Sequence, residues 1–238
     1  MDNNIKKKIT RNWFKILQDV ICKEIETLEG TTNKFDIKKW NRSKIKDEGG
    51  GEYRILRNGK IFDKVGVNFS EVYGELSSNF RTQIDGAKDD PKFWASGVSV
   101  VAHPWSPFVP AAHMNIRFIT TKKEWFGGGI DLTPTYEIKE DTNLFHSCLK
   151  NLCNSHNPNY YKKFSKWCDD YFYIPHRQEP RGAGGIFFDN LCSESWEKDF
   201  SFIRDVGKTF QKIYPKIIKK HYNKNWTTQQ KEHQLLKR

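Results

Sequence analysis

Residues 97–118 read GVSVVAHPWSPFVPAAHMNIRF, and this stretch decides the fold. Gly97–Ala102 and the run that begins at Asn115 are rich in β-branched residues, which is typical of strands. Three prolines lie between the two runs, and proline is excluded from the interior of a sheet because it has no amide hydrogen. The stretch therefore predicts two strands joined by a rigid connection that carries His103 and leads to His113.

A hairpin is predicted upstream of this stretch. Asn58 and Gly59 separate Arg54–Arg57 from Lys60–Val65, and this dipeptide tolerates the positive φ angles of a type I′ turn. The spacing predicts an antiparallel pair of strands. Gly49 to Gly51 end the polar segment before it, and their lack of a Cβ predicts an irregular or mobile loop.

Apolar residues at intervals of three and four predict helices on both sides of the strands. One helix runs from Ile5 and ends near Gly30, and a capping box at Thr227 and Gln230 begins a last one. The others pass through Leu144–Leu152, through Tyr160–Tyr171 and from Trp196 to Ile217, with a bend at Pro215. With a further strand at Ile186–Asp189, the pattern predicts an α+β fold: a single domain over residues 1–238, with a large antiparallel β-sheet covered by α-helices.

The chain is basic, with a formal net charge of +11 over 238 residues. Such a charge suits nucleic acid, an acidic membrane surface or a polycarboxylate substrate. The basic residues form no stripe with interleaved aromatic side chains, so we expect no nucleic acid partner. The excess is mostly lysine, which could equally fill a solvated surface, so the charge alone does not identify a partner.

The cysteines and the hydropathy bear on the compartment. The five cysteines are an odd number and contain no CxxC pair, which favours reduced, buried thiols and a cytoplasmic location. No run approaches the roughly 18 apolar residues of a membrane helix, so we expect no membrane span.

Three polar residues alternate along the predicted strand that follows the prolines. His113, Asn115 and Arg117 share one face of a strand because successive side chains point to opposite faces. An imidazole, an amide and a planar cation on one surface are suited to gripping and protonating a carboxylated ligand. The alternative is that His113 is an ordinary strand histidine bonded to backbone.

Residues 125–136 read WFGGGIDLTPTY, with three successive glycines before Asp131. Glycines permit the backbone to approach a large flat ligand closely. Phosphate binding is the rival interpretation, but no Lys-Ser/Thr pair follows as in a P-loop. Asp131 is either a cap for the residues after it or a functional group.

Four histidines could together hold a divalent metal: His103, His113, His146 and His176. Their spacing matches no compact motif such as HExxH. A metal-dependent hydrolase built on them stays an alternative.

A third stretch, residues 167–191, reads WCDDYFYIPHRQEPRGAGGIFFDNL. The three stretches, in this order and at this spacing, resemble the oxygen-dependent coproporphyrinogen oxidases, and the likeness extends to Gly49–Gly74 and Phe200–Tyr214. The resemblance implies oxidative decarboxylation of two propionate groups of coproporphyrinogen III to vinyl groups. The product would be protoporphyrinogen IX, in haem biosynthesis, with O2 as electron acceptor and no organic cofactor.

The resemblance also implies roles for single residues. His113 would be the proton donor, and Asp131 would lie with Arg117 against the pyrrole nitrogens as the group that orients or deprotonates them. The substrate site would be lined by Ser99, Asn115, Ile116 and Arg117. A divalent metal, manganese or similar, would map onto His103, His113, His146 and His176. Family members are expected to be homodimers.

Two departures from the family pattern bear on activity. Ser106 replaces the Asn usual in the HPxNP turn. Family members continue after a segment like QLLKR with further sheet strands, a substrate-contacting loop and dimer contacts, and the printed sequence stops at Arg238. This predicts an incomplete sheet with an unpaired edge and a doubtful dimer. The alternative function is an inactive truncated remnant or a porphyrin-binding fragment of the enzyme.

Overall fold

A computed structural model describes residues 1–30 and 33–237, and its centre is one antiparallel sheet of seven strands. The strands are paired in the order β1-β2-β3-β4-β5-β6-β9, and a short pair, β7-β8, stands apart. Their bounds are β1 Asp36–Asn41, β2 Gly49–Arg57, β3 Phe62–Glu75, β4 Lys92–Pro104, β5 Ala111–Thr120, β6 Glu124–Thr133, β7 Tyr173–Ile174, β8 Glu179–Pro180 and β9 Gly184–Leu191. The first six strands of the sheet therefore form a meander.

Helices cover one face of this sheet, which confirms the predicted α+β class. Their bounds are α1 Asn3–Glu29, α2 Ser78–Arg81, α3 Lys139–His156, α4 Tyr160–Tyr171, α5 Trp196–His221 and α6 Thr228–Lys237. Helices α1 and α5 pack against each other and against strands β3 to β6, and α3 packs on α5. Helix α5 continues through Pro215. Among the described residues, no helix is long and apolar enough to cross a membrane.

Strand β5 shows how the sheet divides the molecule. Met114, Ile116 and Phe118 are buried under the helices, and we call this side of the sheet the covered face. The side chains between them point the other way, onto what we call the open face. The predicted alternation of His113, Asn115 and Arg117 is thus confirmed, and all three lie on the open face.

The glycine triplet at residues 49–51 was expected to form a loop, and that prediction is wrong. These residues begin β2 and pair with β1 on one side and β3 on the other. A Cβ on Gly50 would lie 2.0 Å from the carbonyl oxygen of Trp40. The glycines allow neighbouring backbones to pack closely inside the sheet. The sequence alone does not distinguish this use of glycine from its use in a flexible loop.

The hairpin between β2 and β3 is confirmed, but its turn differs from the predicted type I′. Residues 58–61 connect the strands, and of the two predicted turn residues only Asn58 has a positive φ, of 51°. The connection is shaped by Glu29, the last residue of α1. Its buried carboxylate accepts hydrogen bonds from the backbone amides of Lys60, Ile61 and Phe62. A side chain distant in sequence therefore decides this turn.

The two edges of the sheet differ. At one edge, every residue of β1 is exposed. At the other, α4 lies along β9, because its aromatic side chains reach residues on both faces of that strand. Tyr171 stacks on Phe187 with ring centroids 4.1 Å apart, and Phe164 contacts Phe188 at 5.2 Å. The outer edge of β9 is thus lined by a helix, which is one way proteins protect a sheet edge.

The predicted capping box at the start of α6 is confirmed. The backbone amide of Thr227 donates to Gln230 Oε1 at 2.9 Å, and the amide of Gln230 donates to Thr227 Oγ1 at 3.2 Å. The buried side-chain amide of Gln234 donates to the carbonyl oxygens of Pro104 and Ser106. These contacts hold α6 against the connection between β4 and β5.

The cysteines are free thiols. Cys22, Cys153 and Cys168 are buried, and burial raises the pKa of each thiol to about 12. Cys192 is exposed and Cys148 partly so. The expectation of buried thiols therefore holds for three of the five.

Candidate functional site

A cavity of about 360 Å³ lies where β4, β5 and β6 meet the connections that rise over the open face. Its wall includes His103, His113, His176, Arg181, Gln234 and Lys237. A larger cleft of about 640 Å³ lies between α1 and the β1–β2 hairpin, and it is lined by none of the predicted site residues. The smaller cavity is therefore the candidate site.

Asp131 is a buried acid that contacts two residues of the cavity wall, His113 and Arg181. It lies on β6 directly opposite His113 of β5 and is only 3% exposed. Its Oδ2 is 3.1 Å from His113 Nδ1 and accepts a hydrogen bond from an Arg181 terminal nitrogen at 2.9 Å. A carboxylate held by these two partners is fixed in orientation and has a proton-transfer partner in the imidazole. We call Asp131, His113 and Arg181 the reaction centre.

Arg181 is a member that sequence reasoning did not single out. Its guanidinium lies 3.9 Å from the ring centroid of Phe172, at the end of α4, and this cation–π contact also holds it in place. The sequence does carry a signal for Arg181, namely the glycines Gly182 and Gly184 directly after it. In the structure they have φ angles of 68° and 73° and form the turn that leads into β9. Because β9 pairs with β6, that turn brings Arg181 back to Asp131.

Arg117 lies elsewhere on the open face, although it was expected beside Asp131. It is four residues beyond His113 along β5, about 13 Å at the usual rise per strand residue. There it donates to Asn115 Oδ1 at 3.1 Å and pairs with Asp189 Oδ2 of β9 at 3.0 Å. The two side chains therefore have different partners in the sheet, and their joint action on the pyrrole nitrogens stays a prediction.

Glycines are frequent on the open face around the reaction centre and Arg117. Ser99 and Gly129 flank Asn115 on the neighbouring strands, and Asn68 Nδ2 donates to Ser99 Oγ at 3.4 Å. The open-face positions around them include Gly66, Gly97, Gly127, Gly129 and Gly185. We call this area the glycine floor. It leaves the backbone accessible to a broad, flat ligand.

Ile116 differs from the other predicted substrate-lining residues. Its side chain is fully buried on the covered face, where its Cδ1 packs beside Gly207 of α5. Only its main chain can contribute to the open face. The alternation that places His113 and Arg117 in the site also excludes this side chain from it.

The four histidines predicted to hold a metal do not converge. His103 and His113 have ring centroids 6.2 Å apart, but His146 turns away from both. Its Nε2 donates to the carbonyl oxygen of Ala183 at 2.7 Å, and its Nδ1 lies 3.0 Å from the Tyr161 hydroxyl. His176 is exposed on a short 3-10 turn. Within residues 1–30 and 33–237, no group of three or more His, Cys, Asp or Glu side chains is placed to hold a metal ion.

In this arrangement His146 is engaged away from the predicted metal set. His146 has no nitrogen lone pair directed at the other rings, because a carbonyl oxygen can only accept and so fixes the proton on Nε2. The neighbouring Asp169 is an acid whose pKa is raised by burial, against the opposing effect of His146. The same geometry removes the support for a metal-dependent hydrolase.

Replacing Gly127 with Ala tests the close packing beneath Arg117. A Cβ at this position would lie 2.4 Å from Asp189 Oδ1 and 3.0 Å from Arg117 Cζ. We expect Arg117 and Asp189 to be displaced, and the affinity of the site for a carboxylated porphyrin to fall about tenfold or more, as misplacement of a positioning group does. Fluorescence titration measures that affinity.

Gly66→Ala is the matched control, because its Cβ would meet only Asn68 Nδ2 at 3.9 Å. Equal losses in the two variants would show that steric packing under Arg117 is not what matters.

Comparison with known proteins agrees with the resemblance of the motifs. The family model described as Coproporphyrinogen III oxidase matches residues 9–238. The oxygen-dependent coproporphyrinogen-III oxidase of Rickettsia rickettsii (strain Sheila Smith) is 48% identical over 240 residues, which cover 98% of this chain and 85% of the relative. The protein of the same name from Rickettsia bellii (strain RML369-C) is 46% identical over 244 residues, or 99% of this chain and 86% of the relative.

Proposed function

The chain belongs to the coproporphyrinogen III oxidase family, and from that premise we propose that it catalyses the oxygen-dependent oxidation of coproporphyrinogen III in haem biosynthesis. The reaction converts two propionate groups to vinyl groups and yields protoporphyrinogen IX. Each conversion releases carbon dioxide and a proton and passes an electron pair to oxygen. No organic cofactor is proposed, because the electron-rich pyrrole itself reacts with O2.

The observation that supports this proposal best is that two groups of polar side chains, which we call stations, lie apart on the open face with the glycine floor between and around them. The reaction centre stands at one end, and Arg117 with Asn115 at the other. A tetrapyrrole lying on the floor presents its pyrrole N–H groups to one station and a peripheral propionate to the other. A planar guanidinium is the side chain best suited to a carboxylate.

The reaction centre supplies the proton chemistry. Asp131 accepts a proton from a pyrrole N–H, which makes the ring carbanion-like and reactive toward oxygen. The peroxide formed on the ring then removes a proton from the β-carbon of the propionate. Carbon dioxide leaves as the vinyl double bond forms, and the bond between the ring and the peroxide breaks, so that the electron pair departs with hydrogen peroxide. His113, hydrogen-bonded to Asp131, donates and recovers protons during this cycle. Arg181 keeps Asp131 oriented between rounds.

Ser99 and Asn115 line the floor between the stations, and we assign them to substrate binding together with the main chain of Ile116. No step is assigned to a metal, since the four histidines do not form one site. A homodimer and a cytoplasmic location follow from the family resemblance and the thiols alone, and they stay predictions.

The test is turnover by the purified 238-residue chain. We expect coproporphyrinogen III in air to give protoporphyrinogen IX, measured as protoporphyrin fluorescence after oxidation, and no product under argon. A chelator should leave the rate largely unchanged, because no step of the proposed reaction is assigned to a metal. Tight binding of coproporphyrin without turnover would favour the porphyrin-binding fragment, and neither binding nor turnover would contradict the proposal.

A further inference from the structure

Arg117 carries an acidic partner that the proposed reaction does not use. Asp189 Oδ2 lies 3.0 Å from an Arg117 terminal nitrogen, and both side chains are about one-third exposed, on the face where substrate would bind. On the opposite side, Asn115 Oδ1 accepts from the other terminal nitrogen. The guanidinium is therefore held from two sides before any ligand arrives.

The backbone of β9 is built to place this acid. The register with β6 runs from Gly128↔Phe188 to Phe126↔Leu191, so Asp189 and Asn190 both stand opposite Gly127. This is a β-bulge, and its extra residue, Asn190, has a φ of 50°. The bulge returns Leu191 to the covered face and leaves Asp189 beside the glycine. Non-glycine residues at positive φ cost energy and cluster at functional sites.

Gly127 completes the arrangement. Its missing Cβ is the space that Asp189 Oδ1 and the Arg117 guanidinium occupy, so the pair lies flat on the sheet. Three features on two strands, namely the bulge, the left-handed residue and the glycine, therefore converge on one contact.

We propose that Asp189 is a positioning and specificity residue: it orients the Arg117 guanidinium and offsets its charge, so that Arg117 grips a substrate carboxylate weakly and reversibly. This inference rests on the proposed function. Two propionates must react in turn at Asp131, and the macrocycle has to shift between the two rounds. If Arg117 could not release the carboxylate that it binds, the reaction would stop after the first propionate.

The charges support a reversible grip. With Asp189 ionised, the Arg117 station has no net charge, and a propionate on the remaining N–H donors lies within a few ångströms of a like charge. Such a pair of like charges repels, and the repulsion is stronger in a partly desolvated site than in water. The specificity then comes from the geometry of the guanidinium rather than from its charge.

The test compares Asp189→Asn with Asp189→Ala. Asparagine keeps an oxygen to accept from Arg117 and removes the negative charge, so we expect coproporphyrin to bind about three- to tenfold more tightly at low ionic strength. We expect that gain to shrink in high salt and kcat to fall while KM falls. Alanine removes the acceptor as well, so its affinity should lie below that of Asp189→Asn.

The matched control is Asp19→Asn, which makes the same change of charge at an exposed carboxylate on α1, on the covered side of the sheet. It should leave KM and kcat unchanged. Unchanged or weaker coproporphyrin binding by Asp189→Asn would overturn the inference while the wild-type protein stays active. A wild-type protein that neither binds coproporphyrin nor turns over would instead overturn the proposed function.

Discussion

Replacing Asp131 with Asn lowers kcat for coproporphyrinogen by about 10²- to 10⁴-fold, the range expected when a positioned acid–base group is lost. The amide keeps an oxygen that accepts from Arg181 and occupies the same buried space, so the fold and the binding of coproporphyrin survive. The amide cannot take a proton from a pyrrole. The loss therefore falls on kcat and leaves KM nearly unchanged.

The measurement is initial rate against substrate concentration in air, with circular dichroism to check folding. Asp170→Asn is the matched control, because this exposed acid pairs with Lys166 on the surface of α4. A rate for Asp131→Asn within threefold of the control would show that Asp131 is not the proton acceptor.

Replacing Glu29 with Ala lowers the free energy of unfolding by about 3 kcal/mol, because backbone amides lose a charged acceptor in the interior. Glu29 is 4% exposed, and two of the residues whose amides it binds, Ile61 and Phe62, are themselves buried. The loss separates the end of α1 from the β2–β3 connection. Urea denaturation followed by tryptophan fluorescence measures the change.

Two variants make this result specific. Glu24→Ala, at a partly exposed position of the same helix, should cost well under 1 kcal/mol, as expected away from buried networks. Glu29→Gln, which keeps one acceptor oxygen, should lie between the two. A loss for Glu29→Ala no larger than that for Glu24→Ala would contradict the assigned role.

The sequence was a good guide where information is local. The alternation of His113, Asn115 and Arg117 and the capping box of α6 depend on neighbours within a few residues, and both are confirmed. The register between strands is not local. It places Arg117 opposite Gly127 and Asp131 opposite Gly185, and so pairs each with a partner from β9 or the turn before it.

The contacts of Gly49–Gly51 and of His146, which the sequence did not predict, likewise depend on packing between distant parts of the chain. A glycine triplet suits a loop and a crowded strand equally well, and only the pairing of β2 with two neighbours decides the case at Gly49–Gly51. The four histidines lie on separate elements, and the hydrogen bond from His146 to Ala183 depends on how α3 packs near the turn into β9. Sequence spacing carries no information about either.

The meander has a consequence for how the chain folds. Strands β2 to β6 each pair with the preceding strand, so their contacts close short loops and can form progressively as the polypeptide emerges. Strand β9 joins only after two helices have intervened, and it brings Asp189, with Arg181 in the turn before it. The proposed catalytic surface is therefore completed by contacts more distant in sequence than those of the meander, and enzymatic activity reports on completion of folding more strictly than secondary structure does.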